Sequence, residues 1–223
     1  MLIYYLYLYL YLCLICVQSF HIVKFRNPYL SSKHSKNAEW QIEEGNKFSK
    51  LGKLKRLIPF LPQKPPGTLI LVRHGESEWN SNKTFTGWVD VDLSERGRIE
   101  IQHAARLLLE RGYFVDVIYT SRLKRAIRST WILLKELNQI YKKVYKSWRL
   151  NERMYGSLEG LSKPQLAKEL GQEVVQQWRS GLLAQPPPMD KNNMYFHGKE
   201  RKYSDLSESQ IPLTESLQVI SIF

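Results

Sequence analysis

Residues 69–80, LILVRHGESEWN, constrain the fold more than any other stretch of this chain. Leu69 to Val72 form a short apolar run, set off upstream by Pro65, Pro66 and Gly67. Such a run after breakers predicts a buried strand. It stops abruptly at Arg73, His74 and Gly75, which places polar chemistry at a strand's carboxyl end. Open α/β sheets bind their ligands there. His74 has a plain structural reading, as a core histidine with both nitrogens satisfied. Arg73 argues for more, because a guanidinium at the tip of a buried strand needs an anion to face. Gly75 is expected to let the backbone turn and a ligand approach.

From here the chain alternates strand and helix. Ser94 is a candidate N-cap, and the apolar residues 99, 101, 104, 105 and 107–109 predict a helix ended by Gly112. Residues 115–121 read as a second strand, 124–138 as a second helix and 144–150 as a third strand. This βαβαβ order predicts an α/β fold, with a mostly parallel sheet and helices on both faces in three αβα layers. Two short helices are expected within 162–180. Residues 182–213 are Pro-rich and polar, and read as loop.

Charge narrows the function. Residues 1–66 hold ten Lys/Arg against three Asp/Glu, a net of +7, and residues 67–223 hold 23 against 18, a net of +5. The basic excess therefore sits mainly in the front quarter. No basic stripe interleaved with aromatics marks the folded part, so nucleic acid is not an expected partner. A modestly positive domain suits a small polyanion.

The front of the chain reads as two segments. Residues 1–19 form an apolar leader of alternating Tyr and Leu, short for a membrane span and close to a signal-peptide core in length. It is expected to contact a membrane or translocon. Residues 20–66 form a basic, transit-like segment and linker, with Lys53, Lys55 and Arg56 facing water. The pair predicts delivery to a plastid or other organelle. The alternative is a mispredicted start in low-complexity sequence and a cytoplasmic protein. Cys13 and Cys16, the only cysteines, lie in the leader without a βαβ unit around them, so a redox C-x-x-C site is not expected.

LVRHGESEWN resembles the first signature of the histidine phosphatase superfamily, and of its 2,3-bisphosphoglycerate-dependent phosphoglycerate mutases in particular. Four further stretches follow in the family's order: TFTGWVDVDLSERG (84–97), YTSRLKRAI (119–127), LNERMYGSLEGLSK (150–163) and PLTESL (212–217). The resemblance covers residues 68–217. It implies interconversion of 3- and 2-phosphoglycerate through a phosphohistidine, with 2,3-bisphosphoglycerate as primer and no metal. A histidine-type phosphatase of the same superfamily and an inactive phosphate-binding fragment are the alternatives. A homo-oligomer is left open.

The resemblance assigns roles. His74 is the expected nucleophile, since neutral imidazole offers a lone pair. Arg73 and Arg125 are expected to fork the phosphate, Arg125 from a helix start that adds backbone donors. Glu152 is the expected acid/base, or else the partner of Arg153 in a surface ion pair. Ser77, Asn80, Thr86 and Gly87 resemble a substrate loop with neutral donors. Arg153, Tyr155, Lys163 and Arg179 are placed in the substrate set, with a structural reading also open for Lys163 before Pro164. Ser180 stands where the family usually has a second arginine, at an expected cost of ~1.5–3 kcal/mol in binding. Met154 replaces a usual histidine.

The family's second catalytic histidine, in an Ala-His-Gly stretch ending another central strand, has no match. His21, His34, His103 and His197 do not fit it. The domain at 67–223 is therefore expected to be the amino-terminal two-thirds of its kind, lacking the last strand and helices. A truncated gene model, little activity and poor solubility are the corresponding expectations.

Overall fold

A computed structural model describes residues 67–220 and the backbone of Phe20–Arg26. Four strands form one sheet: β1 (Phe20–Arg26), β2 (Thr68–Arg73), β3 (Phe114–Thr120) and β4 (Val144–Lys146), in the order β2-β1-β3-β4. β1 runs antiparallel to both β2 and β3, so those two are parallel to each other, and β3 pairs parallel with β4. The α/β architecture with its parallel strands is thus present.

β1 enters the sheet from the stretch that the sequence assigns to the basic, transit-like segment at 20–66. It lies between β2 and β3, from Phe20 opposite Arg73 to Phe25 opposite Thr68, and completes the ladders of both neighbours. Its residues FHIVKFR carry the branched and aromatic character of a strand. The expectations for residues 1–19 and 27–66, the two cysteines included, lie outside the described residues.

Helix α1 (Glu78–Ser81) follows β2, and α2 (Glu95–Glu110) connects on to β3. Ser94 caps α2 by accepting the Gly97 N–H at 3.1 Å. Helix α3 (Lys124–Glu136) links β3 to β4. Ile101, Ala105 and Leu108 of α2 meet Val115 and Ile118 of β3 and Leu133, Leu134 and Leu137 at the end of α3. Ile70, Val72 and Val144 close the same cluster. A bulge skips Asp116 in the pairing with β1, which turns Val115 and Ile118 to one side.

Helices on both faces were expected, but α2 and α3 share one. Both crossovers step in the same direction across the sheet, and right-handed connections then place both helices on the same side. The second helical layer of a three-layer arrangement is not among the described residues. Leu69 and Tyr119 are accordingly exposed on the other face, where Tyr119 stacks on Tyr145 at 5.2 Å.

The third strand is shorter than expected, ending at Lys146. Ser147 then accepts the Arg149 N–H and starts a 3₁₀ turn, Trp148–Leu150. Beyond it come α4 (Lys163–Leu170), α5 (Gln172–Ser180), a long loop with three 3₁₀ turns, and α6 (Leu217–Ile220). The loop is not a loose excursion. Met154, Trp88, Met189, Tyr203 and Ile211 form a second buried cluster beneath it. That accounts for Met154: it is fully buried, and its backbone pairs with Glu215.

Candidate active site

Three loops leave the carboxyl ends of the parallel strands β2, β3 and β4, and each delivers one residue to a common point. His74 follows β2, Arg125 stands in the first turn of α3 after β3, and Glu152 follows the turn after β4. All three are buried.

His74 is held by its own backbone. Nδ1 lies 2.6 Å from the Gly75 carbonyl, to which it donates in the tautomer that satisfies this contact. Nε2 is then left with its lone pair, buried and without a hydrogen-bond partner among the described residues, 3.9 Å from Glu152 Oε2. Burial lowers the His74 pKa, and Arg125 adds to that, against an opposing pull from Glu152. The ring is therefore neutral at neutral pH, as nucleophilic attack requires.

Gly75 serves close packing here. A Cβ at Gly75 would lie 2.0 Å from the Gly97 carbonyl oxygen, and one at Gly97 would lie 2.0 Å from that of Glu76. The paired glycines let the histidine turn rest directly on the first turn of α2. The approach expected of a ligand at Gly75 is thus taken by the α2 backbone.

Arg125 is wholly buried and locked by three acceptors. Nη1 donates to Val89 O at 3.0 Å, and Nη2 donates to Gly87 O at 2.7 Å and Glu152 Oε2 at 2.8 Å. Among the described residues Nε alone lacks a partner. Burial pushes the Glu152 carboxyl up, but Arg125 and His74 outweigh it and hold the pKa at about 2. Glu152 is therefore a carboxylate at neutral pH, held below the range that best suits a general base. Its expected surface pair with Arg153 does not form. Arg153 is itself fully buried, donating to the Trp178 carbonyl and, at 3.2 Å, to that of Arg179, with its guanidinium over the Tyr155 ring. Its Nε and Nη1 have no hydrogen-bond partner among the described residues.

The remaining residues fall into two groups. Ser77 and Asn80 form a capping box at α1: the Ser77 hydroxyl donates to Asn80 Oδ1 at 2.7 Å and accepts the Asn80 N–H. Thr86 donates to the Thr84 carbonyl, and Gly87, at φ +53°, presents its carbonyl to Arg125. Asn80, Lys163 and Arg179 line a cavity of about 500 Å³, together with Lys83, Gln172 and Gln176. Burial lowers the Lys163 pKa; Glu152 pulls it up while Arg179 and Arg73 depress it. Arg73 is exposed at the end of β2. Ser180 is absent from the cavity lining, and its hydroxyl donates to the Gln176 carbonyl at 3.0 Å.

A profile of the histidine phosphatase superfamily, branch 1, matches residues 69–196. The chain belongs to the histidine phosphatase superfamily. Members of this superfamily are phosphoryl-transfer enzymes, mutases and phosphatases among them. Solved structures with partial likeness include a mycobacterial glucosyl-3-phosphoglycerate phosphatase, 28% identical over 47% of this chain and 50% of that one, with a TM-score of 0.40. A phosphoglycerate mutase from Bacillus anthracis is 27% identical over 47% of each chain, with a TM-score of 0.39. YhfR of Bacillus stearothermophilus is 25% identical over 48% of this chain and 50% of that one, with a TM-score of 0.41. The chain thus spans about half the length of each of these. The assignment to the histidine phosphatase superfamily rests on the profile.

Two residues near the site were missed by sequence reasoning. Glu159, inside LNERMYGSLEGLSK, turns inward: Oε1 accepts the Trp88 N–H at 2.9 Å and the Tyr155 N–H at 3.2 Å. His197, read as lying in a polar loop, is 2% exposed and contacts Glu159 Oε2 at 2.7 Å. No local pattern announces either contact, because both span distant parts of the chain.

Proposed function

We propose that this protein interconverts 3- and 2-phosphoglycerate through a phosphohistidine at His74. The observation that carries the reading is the buried Nε2 of His74, without a hydrogen-bond partner among the described residues, beside an ionised carboxylate that Arg125 holds in place.

The chemistry follows from the residues. The Nε2 lone pair attacks phosphorus, the P–N bond forms, and the P–O bond to the departing hydroxyl oxygen breaks. In the return step a substrate hydroxyl attacks phosphorus and the P–N bond breaks. Glu152 takes the proton of that hydroxyl, which its ionised state at neutral pH permits. The guanidiniums stabilise charge on the transferring group by position, as phosphoryl transfer demands. 2,3-Bisphosphoglycerate, when bound, would supply the priming phosphoryl group. The cations around the Lys163 cavity, with the open Nε and Nη1 of Arg153, fit a ligand of several negative charges.

A phosphatase is the second reading, and Ser180 favours it. With its hydroxyl returned to α5, the far end of the cavity has fewer charged donors to hold glycerate against departure. Labelled 2,3-bisphosphoglycerate decides the shared step: acid-labile label is expected on His74 and absent from His74→Gln. No label at residue 74 would overturn both readings. Exchange between 3- and 2-phosphoglycerate that depends on the primer supports the mutase, whereas release of inorganic phosphate alone supports the phosphatase.

A further inference from the structure

His197 occupies an unusual setting for a histidine outside the reacting centre. Both ring nitrogens face carboxylates: Nε2 lies 2.7 Å from Glu159 Oε2 and Nδ1 lies 2.5 Å from Glu200 Oε1. A neutral imidazole has one N–H and can donate to only one of them, while an imidazolium satisfies both. The other charges facing this group are Lys202, in ion pairs with Glu200 at 2.9 Å and with Asp90 at 3.0 Å. The Trp88 ring lies 5.9 Å from the His197 ring, and Tyr203 packs on Trp88. Among the described residues no other cation contacts Glu159.

From Glu159 an unbroken series of contacts leads to the nucleophile. Its Oε1 gathers the N–H groups of Trp88 and Tyr155, one from the substrate loop and one from the segment after Glu152. The loop comes this close because residue 87 is glycine: a Cβ there would lie 1.8 Å from Glu159 Oε1. The Gly87 carbonyl then holds Arg125, Arg125 holds Glu152, and Glu152 stands over His74 Nε2.

We propose that His197 is a positioning residue of the phosphoryl-transfer site, its charge bridging Glu159 and Glu200 so that the 86–88 loop and Arg125 are set for anion binding. Protonation of a histidine that touches no reacting atom is thereby coupled to affinity at His74. The inference rests on the phosphate-binding character of the site and not on the choice between mutase and phosphatase. Burial opposes the charge, but the two carboxylates outweigh it and raise the His197 pKa, which puts the transition above the ordinary histidine range.

The test uses the full chain, isotopically labelled, with sulfate as a probe whose charge does not change across the range. The Trp88 amide and the Arg125 Nε–H are expected to titrate with the same midpoint as the His197 ring, and sulfate affinity is expected to fall severalfold through it. His197→Gln should bind sulfate at the weakened level at every pH. Glu200→Gln, whose side chain is 35% exposed, should move the ring, amide and sulfate midpoints down together. The proposal is overturned if the Trp88 and Arg125 signals ignore the His197 titration, or if both variants keep the parental sulfate profile with only a changed melting temperature. A chain that binds no sulfate would sink the proposed function, while the ligand-free titration of Trp88 and Arg125 would still decide this inference.

Discussion

Arg125 Nη2 and Glu152 Oε2 stand 2.8 Å apart, with side chains 0% and 6% exposed. A pair so enclosed is held by geometry as much as by charge, because each partner alone would be an uncompensated buried ion. Arg125→Ala should destabilise the fold by ~3–5 kcal/mol in denaturant titration. Arg125→Lys should recover little, since an ammonium cannot reach Gly87 O, Val89 O and Glu152 in the fork that the guanidinium spans. Full recovery by lysine would show that charge alone suffices.

The same pair sets an acid limb to stability. The Glu152 pKa is about 2 in the folded state against an ordinary 4.5. The unfolded chain therefore binds the proton first, and the contribution of Glu152 is complete above 4.5 and lost as pH falls towards 2. His74, lowered from 6.5, adds a loss that begins as pH drops below 6.5. His197 has the opposite sign: its contribution is complete below 6.5 and fades as pH rises through its higher folded value. Urea midpoints across pH should show Glu152→Gln flattening the limb below 4.5, and His197→Gln flattening the decline above 6.5. An unchanged acid limb in Glu152→Gln would count against the pair as its source.

Gly87 and Gly171 separate strain from crowding. Both have positive φ, +53° and +96°, but a Cβ at Gly171 meets nothing within 4 Å, whereas one at Gly87 collides with Glu159. Gly171→Ala should cost only the conformational penalty, ~1 kcal/mol. Gly87→Ala should cost more in stability and also weaken sulfate binding, because the Glu159 carboxylate must leave the loop. Equal melting temperatures for the two variants would contradict this.

Lys163 and Arg179 line the cavity without touching His74. Replacing either with Ala should remove one charged contact, ~1.5–3 kcal/mol of substrate binding, and appear chiefly as a raised KM. A fall in kcat with KM unchanged would instead place that residue at the transferring phosphoryl group.

Much of this was legible in the sequence. The apolar run ending in Arg73-His74-Gly75 announced a strand with an imidazole at its tip. Ser94, Gly112 and the Ile101/Ala105/Leu108 stripe announced α2 between them. These signals are local, since capping and periodicity are set by residues a few places apart. The extended reading of 144–150 failed for a similar reason: Ser147 could begin a turn as readily as continue a strand, and β3 offered no partner beyond Thr120.

Residue types and their order along the chain were enough to determine the strand-helix alternation, the imidazole at the strand tip and the cations that would face an anion. Only the tertiary structure decided that Glu152 pairs with Arg125 and not with its neighbour Arg153, that FHIVKFR lies between β2 and β3, and that Glu159 and His197 meet behind the 86–88 loop. The reason is physical: these relations join residues 27 to 97 places apart, and which buried charge finds which partner depends on how helices and loops close over the sheet.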